Sequence, residues 1–185
     1  MKILFNLILI LSLTFTFGCT RHIKTEKFDI NPAEIKDFKS DTPIKVLVPE
    51  NAENEYLVEF TEPERTHANV YVDLNEMYKN AKELIEEEIV GHHVPLSLDA
   101  EKYLTFTITK VQWEIWAGGF SIGSYLEFDI ETGDGYKRNY KVQDGSAMDV
   151  SRAVGGTISR AVEKIFQDEA VLSYIEQTTP KVSIK

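Results

Sequence analysis

The sequence predicts an α+β fold: an antiparallel sheet of about five strands with two helices packed on one face, in the order β-β-α-β-β-β-α. Three observations carry this expectation. The stretches Asp73–Gly91 and Ser146–Phe166 repeat apolar residues at helical spacing along one side only. Between them, Tyr103–Gln143 alternates apolar and polar residues and is broken by two glycine-bearing turns, the pattern of a three-stranded meander. Ahead of the first helix, Ile44–Val48 and Glu55–Phe60 offer two short strands on either side of Pro49.

Taken in chain order, residues 1–18 read as a signal peptide. Lys2 supplies a positive start, and Ile3–Phe17 is apolar apart from Asn6, Ser12, Thr14 and Thr16. That run is shorter than the roughly 20 residues a membrane-spanning helix needs and has the anatomy of a secretory signal. Cys19, the only cysteine in the chain, follows at once. Thr16-Phe17-Gly18-Cys19 resembles the lipobox of bacterial lipoproteins. Gly18 and Cys19 fit it, while Thr16 and Phe17 stand where that pattern usually has leucine and a small residue. The resemblance implies cleavage before Cys19 and attachment of acyl chains, palmitate among them, to that residue. Each buried methylene contributes about 0.8 kcal/mol, so one chain binds a membrane marginally and two or more anchor it stably. Thr20, in place of aspartate after the cysteine, resembles the lipoproteins that Gram-negative bacteria send to the outer membrane. Other readings of the same residues are an ordinary secreted protein with an incidental cysteine, or a short N-terminal anchor. With no second cysteine there is no intramolecular disulfide, and packing alone must stabilise the domain.

Residues 19–42 then read as a lipidated cysteine and flexible tether, because Thr20–Thr42 is mostly polar and charged, with Pro32 and no sustained period. Residues 43–177 form a single domain and 178–185 a frayed tail. Val70–Val72 can regain strand character after a loop. Asp73 with Glu76 makes a capping-box start to the first helix, whose stripe is Leu74, Met77, Tyr78, Ala81, Leu84, Ile85 and Ile89. Glu86, Glu87 and Glu88 lie on its solvated flank, and Gly91 is expected to stop it as a left-handed cap. Tyr103–Trp116, Phe120–Glu131 and Tyr136–Gln143 are the strands of the meander. Ser146 with Asp149 opens the second helix, with Val150, Ala153, Val154, Ile158, Ala161, Val162, Ile165 and Phe166 as its buried stripe. Gly155-Gly156 within it costs about 1 kcal/mol per glycine relative to alanine, which points to close backbone packing there. "VLSYI" around Tyr174 is expected to extend this helix.

The net charge of −10 becomes more negative once Lys2 is removed with the signal. Such a balance argues against nucleic acid as a partner and against broad docking on anionic headgroups. Gly119-Phe120-Ser121-Ile122-Gly123 matches the nucleophile-elbow pattern G-x-S-x-G, but that elbow needs a helix directly after the serine and a histidine later in the chain. Here a strand follows, and His22, His67, His92 and His93 all precede Ser121. His92-His93 read as exposed loop histidines, since adjacent side chains point apart and a zinc site needs three or four converging ligands. Asp129, Glu131 and Asp134 lack calcium-loop spacing, with Gly133 where a ligand is needed. No catalytic pair, metal site or cofactor is expected.

One feature is less routine. The apolar residues of the long strand are even-numbered through Leu104, Phe106 and Ile108, then odd-numbered at Val111, Trp113 and Ile115. Either a bulge at Thr109-Lys110 turns all six toward the core, or the distal hairpin exposes Val111, Trp113 and Ile115 on the opposite face. In the second arrangement Val111, Trp113, Ile115, Trp116, Phe120 and Tyr125 form a candidate interaction patch, with Tyr125 opposite Val111.

The run "AKELIEEEIVGHHVPLSLDAEKYLTFTITKVQWEI" together with "SRAVGGTISRAVEKIFQDEAVLSYI" resembles the YajG family of bacterial lipoproteins. The shared features are a signal with a lipid cysteine, a helix ending near glycine, a long strand, a hairpin and a late alanine-bearing helix. The resemblance implies an outer-membrane lipoprotein related in shape to lipoproteins that assist lipid or lipopolysaccharide transport, with no catalytic residue to carry over. The expectation is therefore a non-enzymatic domain in the periplasm, tethered to the outer membrane by Cys19, that binds a protein partner or supports cell-envelope assembly. The alternative is an accessory lipoprotein for lipid or lipopolysaccharide transport that contacts lipid through the apolar hairpin surface.

Overall fold

In the computed structural model, which describes residues 19–50, 52–53, 55–60, 68–116, 121–147 and 149–177, the strands make two sheets and not one. The strands are β1 (Cys19–Ile23), β2 (Ile44–Leu47), β3 (Tyr56–Leu57), β4 (Glu59–Phe60), β5 (Ala68–Val72), β6 (Lys102–Trp116), β7 (Ser121–Thr132) and β8 (Lys137–Ser146). The helices are α1 (Leu74–Gly91), α2 (Val150–Ile165) and α3 (Glu169–Glu176). The larger sheet has the order β2-β6-β7-β8, with β4 also paired to β6; the smaller has the order β1-β5-β3.

The antiparallel meander β6-β7-β8 is present as expected. The expectation of an all-antiparallel sheet needs correction, because both β2 and β4 run parallel to β6. The chain leaves this edge and comes back through α1, and a helical crossover of that kind returns a strand parallel to its neighbour. The two sheets share one extended segment, Tyr56–Phe60. Its first half pairs with β5, Val58 N–H donates to the Val70 carbonyl at 2.8 Å, and its second half joins β6.

Both expected helical stripes are buried, against Leu104, Phe106, Leu126, Phe128 and Ile130 on the covered face of the large sheet. The opposite face is polar, with Lys137–Asp129 and Lys141–Glu127 ion pairs across β7 and β8. Asp73 caps α1, accepting from the N–H groups of Asn75 and Glu76. Gly91 is not the left-handed cap: it is the last helical residue, and His93 adopts the positive φ of 63° while Val94 N–H reaches back to the Ile89 carbonyl. Asp149 alone caps α2, because Ser146 closes β8. The "VLSYI" stretch is a separate helix. Asp168 caps α3 and breaks it from α2. Lys102 closes the far end of α3, its ammonium donating to the carbonyls of Ile175 and Gln177, and burial lowers its pKa.

The largest correction concerns the expected tether. Residues 24–42 are a strap laid across the helices. Thr25 N–H donates to Glu76 Oε2 at 2.9 Å, and Asn80 Nδ2 donates to the Thr25 carbonyl. Ser159 Oγ donates to the Phe28 carbonyl at 2.8 Å, and Asn31 N–H to Glu163 Oε1 at 2.9 Å. Phe38 is buried and stacks between Phe166 and His92. The glycine pair has its reason here: a Cβ at Gly155 would collide with the Glu26 carbonyl, and one at Gly156 with the Asp144 carboxylate. Composition hides this segment because its backbone makes most of the polar bonds, with Glu76 and Glu163 accepting from it and the buried Asn80 and Ser159 donating to it.

Candidate functional site: the Cys19 end and the hairpin

Cys19 is the first residue of β1 and pairs with Ala68. Strand directions locate it. Because β4 is parallel to β6, β3 antiparallel to β5 and β1 parallel to β5, β1 runs opposite to β6. Cys19 therefore lies at the end of the molecule where β6 finishes and the β6–β7 hairpin closes.

That hairpin settles its change of parity with a bulge. The pairing Ile108↔Phe128 is followed by Lys110↔Glu127, so Thr109 is the extra residue. Leu104, Phe106, Ile108, Val111 and Trp113 are consequently all buried, and Ile115 packs against the same core. The exposed arrangement is thus corrected: Val111 pairs with Leu126, not Tyr125, and Trp113 is 7% exposed. The sequence offers the bulge as one of two arrangements and does not show what satisfies it. The Tyr78 hydroxyl, on α1, accepts from the Ile108 N–H at 3.0 Å and lies 3.3 Å from its carbonyl, filling the gap between β2 and β4 on that edge. Burial raises the Tyr78 pKa.

Tyr125 stands on the polar face, across from Gln112, and its hydroxyl donates to the Glu114 carboxylate. That bond, aided by burial, pushes the Tyr125 pKa up to about 12. The Lys141 ammonium sits 5.0 Å from its ring centroid. Trp116 closes the ladder opposite Ser121; the Trp116 side chain and Phe120 lie outside the described residues. Ser121 opens a strand, not a helix. His92 is half-buried on Phe38, 3.3 Å from Asp37, and so is not the exposed loop residue expected. Among the described residues, no group of three or more His, Cys, Asp or Glu side chains is placed to hold a metal ion. No helix among them is long and apolar enough to cross a membrane.

A second region was not legible beforehand. β8 ends the large sheet, and among the described residues no strand pairs with its outer side. Beside it lies an open hollow of about 490 Å³ lined by Lys36, Tyr136, Arg138, Lys164 and Asp168 among others. Asp168 Oδ2 accepts from the hydroxyls of Tyr136 and Tyr140, with Arg138 at 3.4 Å, while Oδ1 caps α3. A carboxylate so fully engaged pins the helix to β8 and is poorly placed to accept a proton from a substrate.

These features define a two-layer α+β domain with a small accessory sheet. No protein-family model matches the sequence, and no curated protein sequence matches it. Among solved structures, the chain is similar to a Xanthomonas campestris protein of the DUF330 family (12% identity, TM-score 0.48, covering 84% of this chain and 94% of that one). It is also similar to a minor lipoprotein from Acinetobacter baumannii (9% identity, TM-score 0.35, 69% and 92% covered). A further likeness is to rare lipoprotein B from Shewanella oneidensis (10% identity, TM-score 0.29, 72% and 90% covered).

Proposed function

We propose that this protein is a non-enzymatic lipoprotein of the outer membrane, acylated at Cys19, whose domain in the periplasm binds a protein partner in the cell envelope. One observation carries the reading: the apolar, signal-like segment ends at Gly18, immediately before Cys19, the only cysteine in the chain. The long outer edge of β8, with which no strand pairs among the described residues, supports a protein as the partner, since such an edge offers a row of N–H and C=O groups for an added strand. Lipid transport receives less support. It needs an apolar hollow; the hollows beside β8 and α2 are lined largely by charged and polar side chains, and a further one of about 420 Å³ beside β2 sets Ile44, Val46, Leu47, Leu96 and Leu98 among Lys45, Glu50, Lys82 and Glu86.

The test is Cys19→Ser in the full-length chain. The substitution should abolish acylation and processing by signal peptidase II, followed by metabolic labelling with palmitate and by mass spectrometry. A variant that is cut and partitions with membranes as wild type does would refute the reading.

A further inference from the structure

We infer that the groove between the outer edge of β8 and α2 receives an extended, acidic segment of the protein partner, added to the large sheet as a further strand. The inference deepens the reading just given and rests on its proposed protein partner. Three observations carry it.

The first is shape. Hollows of about 490, 310 and 240 Å³ follow one another along β8. The first two share Lys164 and Gln167 and the last two share Arg160 and Glu163, so together they make one continuous groove. Its far wall is the strap, whose Phe28, Asn31 and Glu34 bond in order to Ser159, Glu163 and Gln167. The ten residues of β8, at about 3.3 Å each, give an edge on the order of 30 Å long.

The second is the backbone of that edge. Thr132 N–H donates to the Tyr136 carbonyl at 2.9 Å, while Ile108, opposite Phe128, turns its backbone groups away from β7 to Tyr78. Antiparallel alternation then turns Arg138, Tyr140 and Val142 toward β7. The N–H and C=O groups of Lys137, Asn139, Lys141 and Gln143 are left pointing outward, with no proline to interrupt the row.

The third is charge. Arg152, Gly156, Arg160 and Lys164 recur every fourth residue, a single row of α2 along the groove floor. The carboxylates nearest this row are buried and engaged. Glu163 accepts from Asn31 N–H and pairs with Arg160, Asp168 holds two tyrosine hydroxyls and the start of α3, and each side chain is 6% exposed. The cations that neutralise them, Arg160 and Arg138, stay 48% and 59% exposed. Lys164 is exposed and, among the described residues, has no ion pair. Of the exposed carboxylates, Glu169 is matched by Lys36 and Glu34 bonds Gln167. The groove thus offers cations in a chain of net charge −10. Charge alone would suit any anion, but charge beside an open strand edge suits a peptide with carboxylates on alternate residues.

The experiment uses the full-length acylated protein in detergent micelles. The probe is a synthetic peptide in which glutamate alternates with threonine and valine, long enough to span β8. In NMR spectra it should move the amide signals of Lys137, Asn139, Lys141 and Gln143 most, and the same peptide with lysine for glutamate should leave them in place. Lys164→Glu should weaken the glutamate peptide roughly tenfold. Gln143→Pro removes one outward N–H at an edge position where proline is tolerated, and should weaken the peptide with circular dichroism unchanged. Signals unmoved by the glutamate peptide, moved equally by the lysine peptide, or moved as in wild type in both variants overturn the inference. Short-chain phosphatidylglycerol that moves these signals where the peptide does not would make the groove a lipid site and overturn it as well. A groove silent to the peptide in protein acylated at Cys19 removes this inference alone, whereas protein without acyl chains removes the anchoring reading.

Discussion

The strap and the β6–β7 hairpin are held in the fold by opposite means. The hairpin is fixed through side chains: Leu104, Phe106, Val111, Leu126, Phe128 and Ile130 are fully buried, and the bulge at Thr109 keeps them on one face. The strap is fixed mainly through its backbone, with Thr25, Phe28 and Asn31 bonding to Glu76, Asn80, Ser159 and Glu163 on the helices. The comparison teaches that a polar segment can be placed through its backbone when its partners are buried or half-buried polar side chains. Such a segment announces itself on the surface that receives it and not in its own composition.

Removing the largest side chain that the bulge directs inward should have the largest effect. Trp113→Ala is expected to cost about 3–5 kcal/mol, measured by urea unfolding. A near-unchanged midpoint would return Trp113 to the surface and undo the assignment of the bulge. Tyr78→Phe comes next. It leaves the Ile108 N–H and carbonyl without their buried partner, at roughly 1–3 kcal/mol for each group left unpaired. Faster amide exchange at Ile108 should accompany the loss.

The strap is probed by a pair of glycines with opposite expected signs. Gly155→Ala meets the Glu26 carbonyl and should destabilise by about 1–3 kcal/mol, against the usual helix preference for alanine. Trypsin should then cut at Lys24 and Lys27 faster than it does in wild type. Gly91→Ala has open space around it and should instead stabilise by up to about 1 kcal/mol. Equal effects at the two positions would mean that the strap does not press on α2.

The smallest effect lies on the polar face of the hairpin. With its folded pKa raised to about 12, Tyr125 favours the folded state fully below the unfolded tyrosine value near 10, and that contribution is lost as pH rises toward 12. The phenolate absorbance missing from Tyr125→Phe should therefore appear late in a titration, and Glu114→Gln should bring it earlier. An unshifted titration in Glu114→Gln would show that Glu114 is not the cause.

Local pattern was enough to locate α1 and α2, the cap at Asp73, the meander and the change of parity along β6, because each is written within a few turns or pleats of chain. The candidate patch was legible only as an alternative, since alternation alone does not say which way Val111 and Trp113 point. Tertiary structure decided that, as it decided the parallel placement of β2 and β4, the small sheet around β5 and the break that makes α3 separate. The strap shows the reason most clearly. Its partners lie 51, 55, 131 and 132 residues away along the chain. Periodicity reports which side of an element is apolar, whereas the choice of a distant partner for a backbone group is made only when the packed helices bring Glu76, Asn80, Ser159 and Glu163 to one surface.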